Sequence, residues 1–225
     1  ALGLLPQHPD VWSHSHADRL PTDTLRPFVH TSDGNVLAID NDPTFTSSDG
    51  GQTWSDPRPL TGAIEKNFKV SNERAMMRTK HGTIIAAFMN LNERKWTWQN
   101  ELFDAPGAKL PTWVMRSEDD GKTWTHVQKM HDDWSGAVRD MIQTNDGRII
   151  FTAMKMLHDP GRHSVLTYWS DDDGKSWKPS NLIDLGGKGH HGGVTEPTLT
   201  ELPDGRLWML IRTNWGEFWS AYSHD

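Results

Sequence analysis

The sequence contains no cysteine and only 2 tyrosines in 225 residues. Disulfides and thiolate metal sites are therefore excluded, but exported proteins also do without cysteine, so this count does not fix a compartment. A secreted or periplasmic setting is the leaning of the reading. No stretch approaches the eighteen or so apolar residues of a spanning helix, in keeping with a mean hydropathy of −0.69. The opening ALGLLPQ is too short, and lacks the basic start, to be read as an intact signal peptide. Basic residues are outnumbered, with 23 Lys and Arg against 30 Asp and Glu, and they are dispersed. That leaves no electrostatic footprint for nucleic acid. No long helical period is present, and no nucleotide or metal motif; the acidic loops lack the EF-hand pattern. No cofactor and no metal are expected.

What the sequence has in excess is tryptophan, 12 residues. Three of these close a repeated octet of the form Ser-x-Asp-x-Gly-x-Thr/Ser-Trp. The copies are SSDGGQTW from Ser47 to Trp54, SEDDGKTW from Ser117 to Trp124, and SDDDGKSW from Ser170 to Trp177. The octet aspartates Asp119 and Asp172 are 53 residues apart, and Ser223-His224-Asp225 repeats the first three letters at the same interval. A second element precedes each octet: a turn glycine feeding a short apolar run. It occurs at Gly34 before Val36-Leu37, Gly82 before Ile84-Ile85, Gly147 before Ile149-Ile150 and Gly205 before Leu207-Trp208. A turn glycine between short apolar, often β-branched runs is a hairpin signature. One unit thus reads strand, glycine turn, strand, loop, strand, octet, strand. Units of this length with four strands point to an all-β propeller. The octet suits a turn between the outer strands of a blade, with Asp and Ser bonding turn amides, Gly taking positive φ and Trp covering the apolar face. That role is structural rather than chemical. Residues 90–112 interrupt the second unit as an insertion with a short helical turn.

The octet resembles the Asp box, or BNR repeat, of the sialidase (neuraminidase) superfamily, and the likeness covers about residues 20 to 225. The resemblance implies a sialidase-like β-propeller, six-bladed in the family. This chain offers approximate blades 20–70, 71–130, 131–190 and an incomplete 191–225. A fragment of a propeller is therefore expected. The resemblance also implies an exo-acting glycoside hydrolase that removes a terminal acidic sugar from a glycan.

Counting back eight positions from the turn glycines gives Arg26, Arg74 and Arg139. Equivalent positions of successive blades face one axis, so three guanidiniums are expected to converge on an anion site suited to a carboxylate. The plainer alternative is a set of solvated strand ends. In the fourth unit the stretch from Glu196 to Arg212 is similar to the family segment in which a Glu opens one strand and an Arg ends its hairpin partner. By that likeness Glu196 polarises a tyrosine nucleophile and Arg212 binds the substrate carboxylate. Leu25-Arg26-Pro27 is similar to the family's Arg-Ile-Pro motif with one residue missing, which would make Arg26 the first carboxylate-binding Arg. The acid/base aspartate is expected in the loop Asp40-Asn41-Asp42-Pro43, where Asp40 and Asp42 both qualify and an Asx turn is the plain alternative. The family's nucleophile and third Arg are expected in later blades, since Tyr168 and Tyr222 stand just ahead of octets and read as strand residues. His191, in Gly189-His190-His191-Gly192-Gly193, is read either as part of a solvent-exposed loop or as a substrate contact at the rim of the same cavity. Adjacent histidines on an extended chain make a poor metal pair. Arg139 and Asp140 read as a local ion pair, and Trp96 and Trp98 are equally suited to stacking on sugar and to packing. Two other functions stay open: a propeller hydrolase or lyase on another glycan, and a non-catalytic carbohydrate- or protein-binding module.

Overall fold

A computed structural model describes residues 15–16, 27–60 and 68–224. Arg26 and Asp225 lie outside the described residues. Among the described residues fourteen strands form four antiparallel sheets in chain order. The first holds β1 (Phe28–His30), β2 (Val36–Ile39) and β3 (Thr44–Ser47). The second holds β4 (Val70–Arg78), β5 (Ile84–Asn90), β6 (Thr112–Ser117) and β7 (Thr125–Lys129). The third holds β8 (Met141–Gln143), β9 (Ile149–Leu157), β10 (Arg162–Ser170) and β11 (Lys178–Pro179). The fourth holds β12 (Val194–Glu201), β13 (Leu207–Thr213) and β14 (Phe218–Ser223). In each sheet consecutive strands are neighbours. The first strands β1, β4, β8 and β12 pack one against the next.

The turn glycines join first strands to second strands as expected. Gly34, Gly82, Gly147 and Gly205 take φ of +83°, +90°, +104° and +84°, a region open to glycine at little cost. The insertion is the β5–β6 connection, which opens with a 3₁₀ turn over Leu91–Glu93.

Each octet is a hydrogen-bonded cage. In the second, Ser117 Oγ donates to Asp119 Oδ1 at 2.8 Å, and the Thr123 amide and hydroxyl donate to Asp119 at 2.8 and 2.6 Å. The Gly121 amide donates to Ser117 Oγ at 2.8 Å. The first and third copies repeat the pattern around Asp49 and Asp172.

The octets also tie sheet to sheet. Their fourth residues, Asp120 and Asp173, adopt left-handed φ of 58° and 59°, a conformation Asp tolerates better than most residues. Asp120 accepts from the Ser32 amide of the first sheet at 2.8 Å. Asp173 accepts from Thr83 and, at 3.1 Å, from buried Arg116 of the second sheet. Gly121 sits against Leu37 and Gly174 against Ile85, each on the second strand of the preceding sheet.

The apolar core is divided accordingly. Leu37, Ile39, Ile84, Phe88, Met115 and Trp124 fill the space between the first and second sheets. Ile85, Val114, Phe151 and Tyr168 fill that between the second and third. Met154, Val165, Val194 and Ile211 join the third to the fourth. Inward residues of neighbouring sheets exclude water from one another, at roughly 25 cal/mol per Å² of apolar surface.

Candidate functional site

Glu196 stands in β12 at an irregularity. The register with β13 shifts between Thr195 and Thr198, and Glu196 itself has φ of +48°. Pro197, which has no N–H to give the ladder, falls inside this bulge, where a strand proline is tolerated. The bulge turns the Glu196 side chain toward two arginines. Arg212 Nη1 donates to Oε1 at 2.7 Å, and Arg139 Nη2 lies 3.2 Å from Oε2. The hairpin brings Glu196 and Arg212 together as the sequence spacing requires, since Thr195 is paired with Arg212.

Arg139 has a second carboxylate, Glu73, whose Oε2 lies 2.6 Å from its Nη1. This contact is an ion pair whose alignment falls short of a hydrogen bond. Glu73 sits on β4 beside another register shift, between Val70 and Arg74. Burial pushes the Glu73 carboxyl up, the Arg139 charge pulls it down, and the charge of Glu196 pushes it up again. Sequence reasoning missed Glu73, although a signal was present: it precedes Gly82 by nine positions, as Glu196 precedes Gly205. The two glutamates from sheets two and four thus meet on an arginine that precedes the first strand of sheet three.

Arg74 takes another direction. It is buried, donating to the Ser71 carbonyl at 2.9 Å and to the Ile39 carbonyl, and its Nη2 lies 4.0 Å from Asp40 Oδ1. Burial lowers its pKa, with the Asp40 charge acting the other way. The convergence expected for Arg74 and Arg139 is therefore not seen: one braces the first sheet, and the other bridges Glu73 and Glu196. The local ion pair of Arg139 with Asp140 is corrected too. Asp140 instead accepts from Thr198 Oγ at 2.5 Å and from the Leu199 amide at 3.1 Å. Asp40 and Asp42 occupy the β2–β3 turn, where the Asp40 amide donates to the Pro43 carbonyl at 3.0 Å.

Glu196 and Arg212 form one wall of a cleft of about 400 Å³. Arg94 and Trp96 from the insertion, and Trp134 from the β7–β8 connection, line the same cleft. His190, His191 and Asn214 close a side. Neither Asp40, Asp42, Arg74, Tyr168 nor Tyr222 lines this cleft. His191 does line it, and its carbonyl accepts from Asn214 Nδ2 at 2.8 Å. The glycine-rich loop lies close on β10, where the His163 amide donates to the Gly192 carbonyl at 2.8 Å and a side chain on Gly193 would collide with the His163 backbone. The aromatic wall is packed against itself: Trp96 lies 4.3 Å from Trp134 and stacks on Trp98 at 6.2 Å, with His190 edge-on at 5.1 Å. Burial, and then the charge of His191, lowers the pKa of His190; burial likewise lowers that of His163. Tyr168 is held in the core against Phe151, and burial pushes its hydroxyl up to about 12. Among the described residues no cluster of His, Asp and Glu is arranged to hold a metal.

A larger cleft, about 500 Å³, opens between the third and fourth sheets among Ile150, Leu166, Leu199 and Met209. Among the described residues no carboxylate lines it, so the smaller cleft is the chemical candidate.

Four antiparallel sheets, their first strands packed in succession, and Asp-box turns clasping neighbouring sheets define a sialidase-like β-propeller, present here in part. A BNR repeat-like domain family matches residues 75–225, and the chain belongs to that family. None of the curated proteins matches it. Among solved structures, a protein of unknown function from Dyadobacter fermentans aligns with a TM-score of 0.61 at 19% identity, over 88% of this chain and 64% of its own. The Hadza microbial sialidase Hz136 aligns at 0.60 and 21% identity, over 90% of this chain and 44% of its own. A Penicillium chrysogenum α-L-arabinanase complexed with arabinobiose aligns at 0.58 and 14%, over 88% and 62%. The chain thus spans less than two thirds of each of these proteins, and identities this low establish the shared fold.

Proposed function

We propose that the protein is an exo-acting glycoside hydrolase of sialidase type, with the cleft at Glu196 and Arg212 as its sugar site and a terminal acidic sugar as its substrate. One observation carries the reading: a strained, bulge-borne glutamate on the wall of the cleft, each of its oxygens facing a different guanidinium. Backbone strain and bulges concentrate at sites where a side chain must be aimed. Trp96 and Trp134 supply the apolar body of a sugar pocket, and Arg94, Arg212 and Asn214 supply the few polar groups that orient a ligand. Arg212 is half-exposed and oriented by Glu196, so its remaining donors suit the carboxylate of an acidic sugar. Glu196 is the group for proton transfer with the nucleophile, which the family resemblance identifies as a tyrosine.

A second reading, hydrolysis of a neutral pentoside, is favoured by the balance of charge. Arg74 is turned away and Arg139 is shared between two carboxylates, so two of the expected anion-binding arginines are already engaged. The likeness to an α-L-arabinanase agrees with it.

Release of 4-methylumbelliferone from an α-sialoside and from an α-L-arabinofuranoside by the purified full-length protein, with the later blades in which the nucleophile is expected, separates the two. Release from the sialoside, lost in Glu196→Gln, is the expected result. Release from the arabinofuranoside alone moves the substrate to the neutral class. Glycan binding with no release from either, unchanged in Glu196→Gln, makes the protein a binding module and overturns the hydrolase.

A further inference from the structure

We infer that Asp140 is the positioning residue of this site, the group that holds open the backbone bulge on which Glu196 stands. Asp140 does not line the cleft; it acts on the strand behind. Its Oδ2 accepts both the Thr198 hydroxyl at 2.5 Å and the Leu199 amide at 3.1 Å. These donors belong to the first two residues beyond the Glu196-Pro197 irregularity, where the β12–β13 pairing resumes at Thr198. Oδ1 is used as well, accepting from the Met141 amide at 2.9 Å. The residue is anchored on β9 in turn: its amide donates to Thr152 Oγ1 at 3.1 Å, and the Thr152 amide donates to its carbonyl at 3.0 Å. Thr152 is fully buried.

The carboxylate is thus a fixed post reaching from the third sheet into the fourth. A bulged strand has lost part of its ladder, so an outside acceptor on the residues just past the bulge determines where the bulged residue points. Hydrogen bonds to a charged acceptor are the stronger kind. The neighbouring residue completes the clamp. Arg139 takes Glu196 by its side chain, while Asp140 takes the Thr198 hydroxyl and the Leu199 amide, two and three positions further on.

The test reads the Glu196 carboxyl directly, by its ¹³C resonance, assigned from its disappearance in Glu196→Gln. In a folded Asp140→Ala protein that resonance shifts, and the Arg212 side-chain ¹⁵N signals shift with it. Asp140→Asn, which keeps the shape and part of the acceptor, gives a smaller shift. Thr198→Val removes a single donor and serves where Asp140→Ala does not fold; it too gives a smaller shift. Unmoved Glu196 and Arg212 signals in folded Asp140→Ala, or in both Asp140→Asn and Thr198→Val, overturn the inference. The catalytic consequence rests on the hydrolase reading. There Asp140→Ala lowers kcat on the order of 100-fold with KM little changed, the scale of an ångström misplacement, and Asp140→Asn restores part of it. Shifted signals in a protein that cleaves no glycoside would sink the hydrolase and leave the positioning role standing.

Discussion

Gly121→Ala measures how tightly the octets weld one sheet to the next. A β-carbon at Gly121 would lie 2.6 Å from Leu37 Cδ2 and 3.1 Å from Cδ1, in a core where Leu37 is fully buried. Gly51 holds the same place in the first octet, also at positive φ, and among the described residues a β-carbon there meets nothing nearer than Trp54 at 3.6 Å. Both substitutions place alanine in the left-handed region, which costs about 1–2 kcal/mol. Both regain about 0.4–1 kcal/mol from the less flexible unfolded chain. Only Gly121→Ala adds overpacking against a neighbouring sheet, about 1–3 kcal/mol more. Urea unfolding followed by tryptophan fluorescence should therefore find Gly51→Ala destabilised by about 1 kcal/mol and Gly121→Ala by about 2–4 kcal/mol. In a Leu37→Ala background the extra cost of Gly121→Ala should vanish, because the clashing methyls are gone. Equal costs at the two glycines, or an undiminished cost without the Leu37 side chain, would refute the weld.

Two further outcomes concern charge. Hydrogen bonds from Thr53 and Ser47 hold Asp49 down to about 2. At Asp172 burial pushes upward but the bonds from Ser176 and Ser170 prevail, again leaving about 2, and Asp119 is lowered in the same manner. Folded values below the ordinary 3.8 mean stability that is present above that pH and lost as pH falls toward about 2. The urea midpoint should fall across that window, and Asp172→Asn should flatten the fall; an unchanged slope would contradict the cage. Glu73 has the opposite sign. Its folded value is raised above the ordinary 4.5, so its contribution is fully present below that pH and declines as pH rises through the folded value. Glu73→Gln should remove that decline from the stability profile, and a profile identical to the parent's would show that burial of the Glu73 carboxyl is not coupled to folding.

The recurrence of Ser-x-Asp-x-Gly-x-Thr/Ser-Trp made the architecture legible from the chain alone. Each letter acts on its near neighbours. Ser donates to the aspartate, Asp accepts from two turn groups, Gly takes positive φ, and Trp covers the apolar face. Interactions that short in range are written in consecutive residues. The hairpin that joins Glu196 to Arg212 was legible for the same reason, because a turn at Asp204-Gly205 and strict antiparallel pairing bring its two ends together. The direction of the remaining arginines was not. Counting back from the glycines assumes that side chains alternate without interruption, and one extra residue in a strand reverses every side chain beyond it. β4 and β12 both carry such a shift, before Arg74 and around Glu196. Arg74 itself is still in register with the Gly82 turn, paired with Phe88, and its guanidinium is taken up by the Ser71 and Ile39 carbonyls, whereas Glu73 and Glu196, at the two shifts, meet on Arg139. The sequence by itself thus determined the repeated sheets and the octet cages that clasp them, since both depend on residues a few positions apart. Which charges share a cleft was decided only by tertiary structure, because it depends on bulges and on contacts between strands of different sheets.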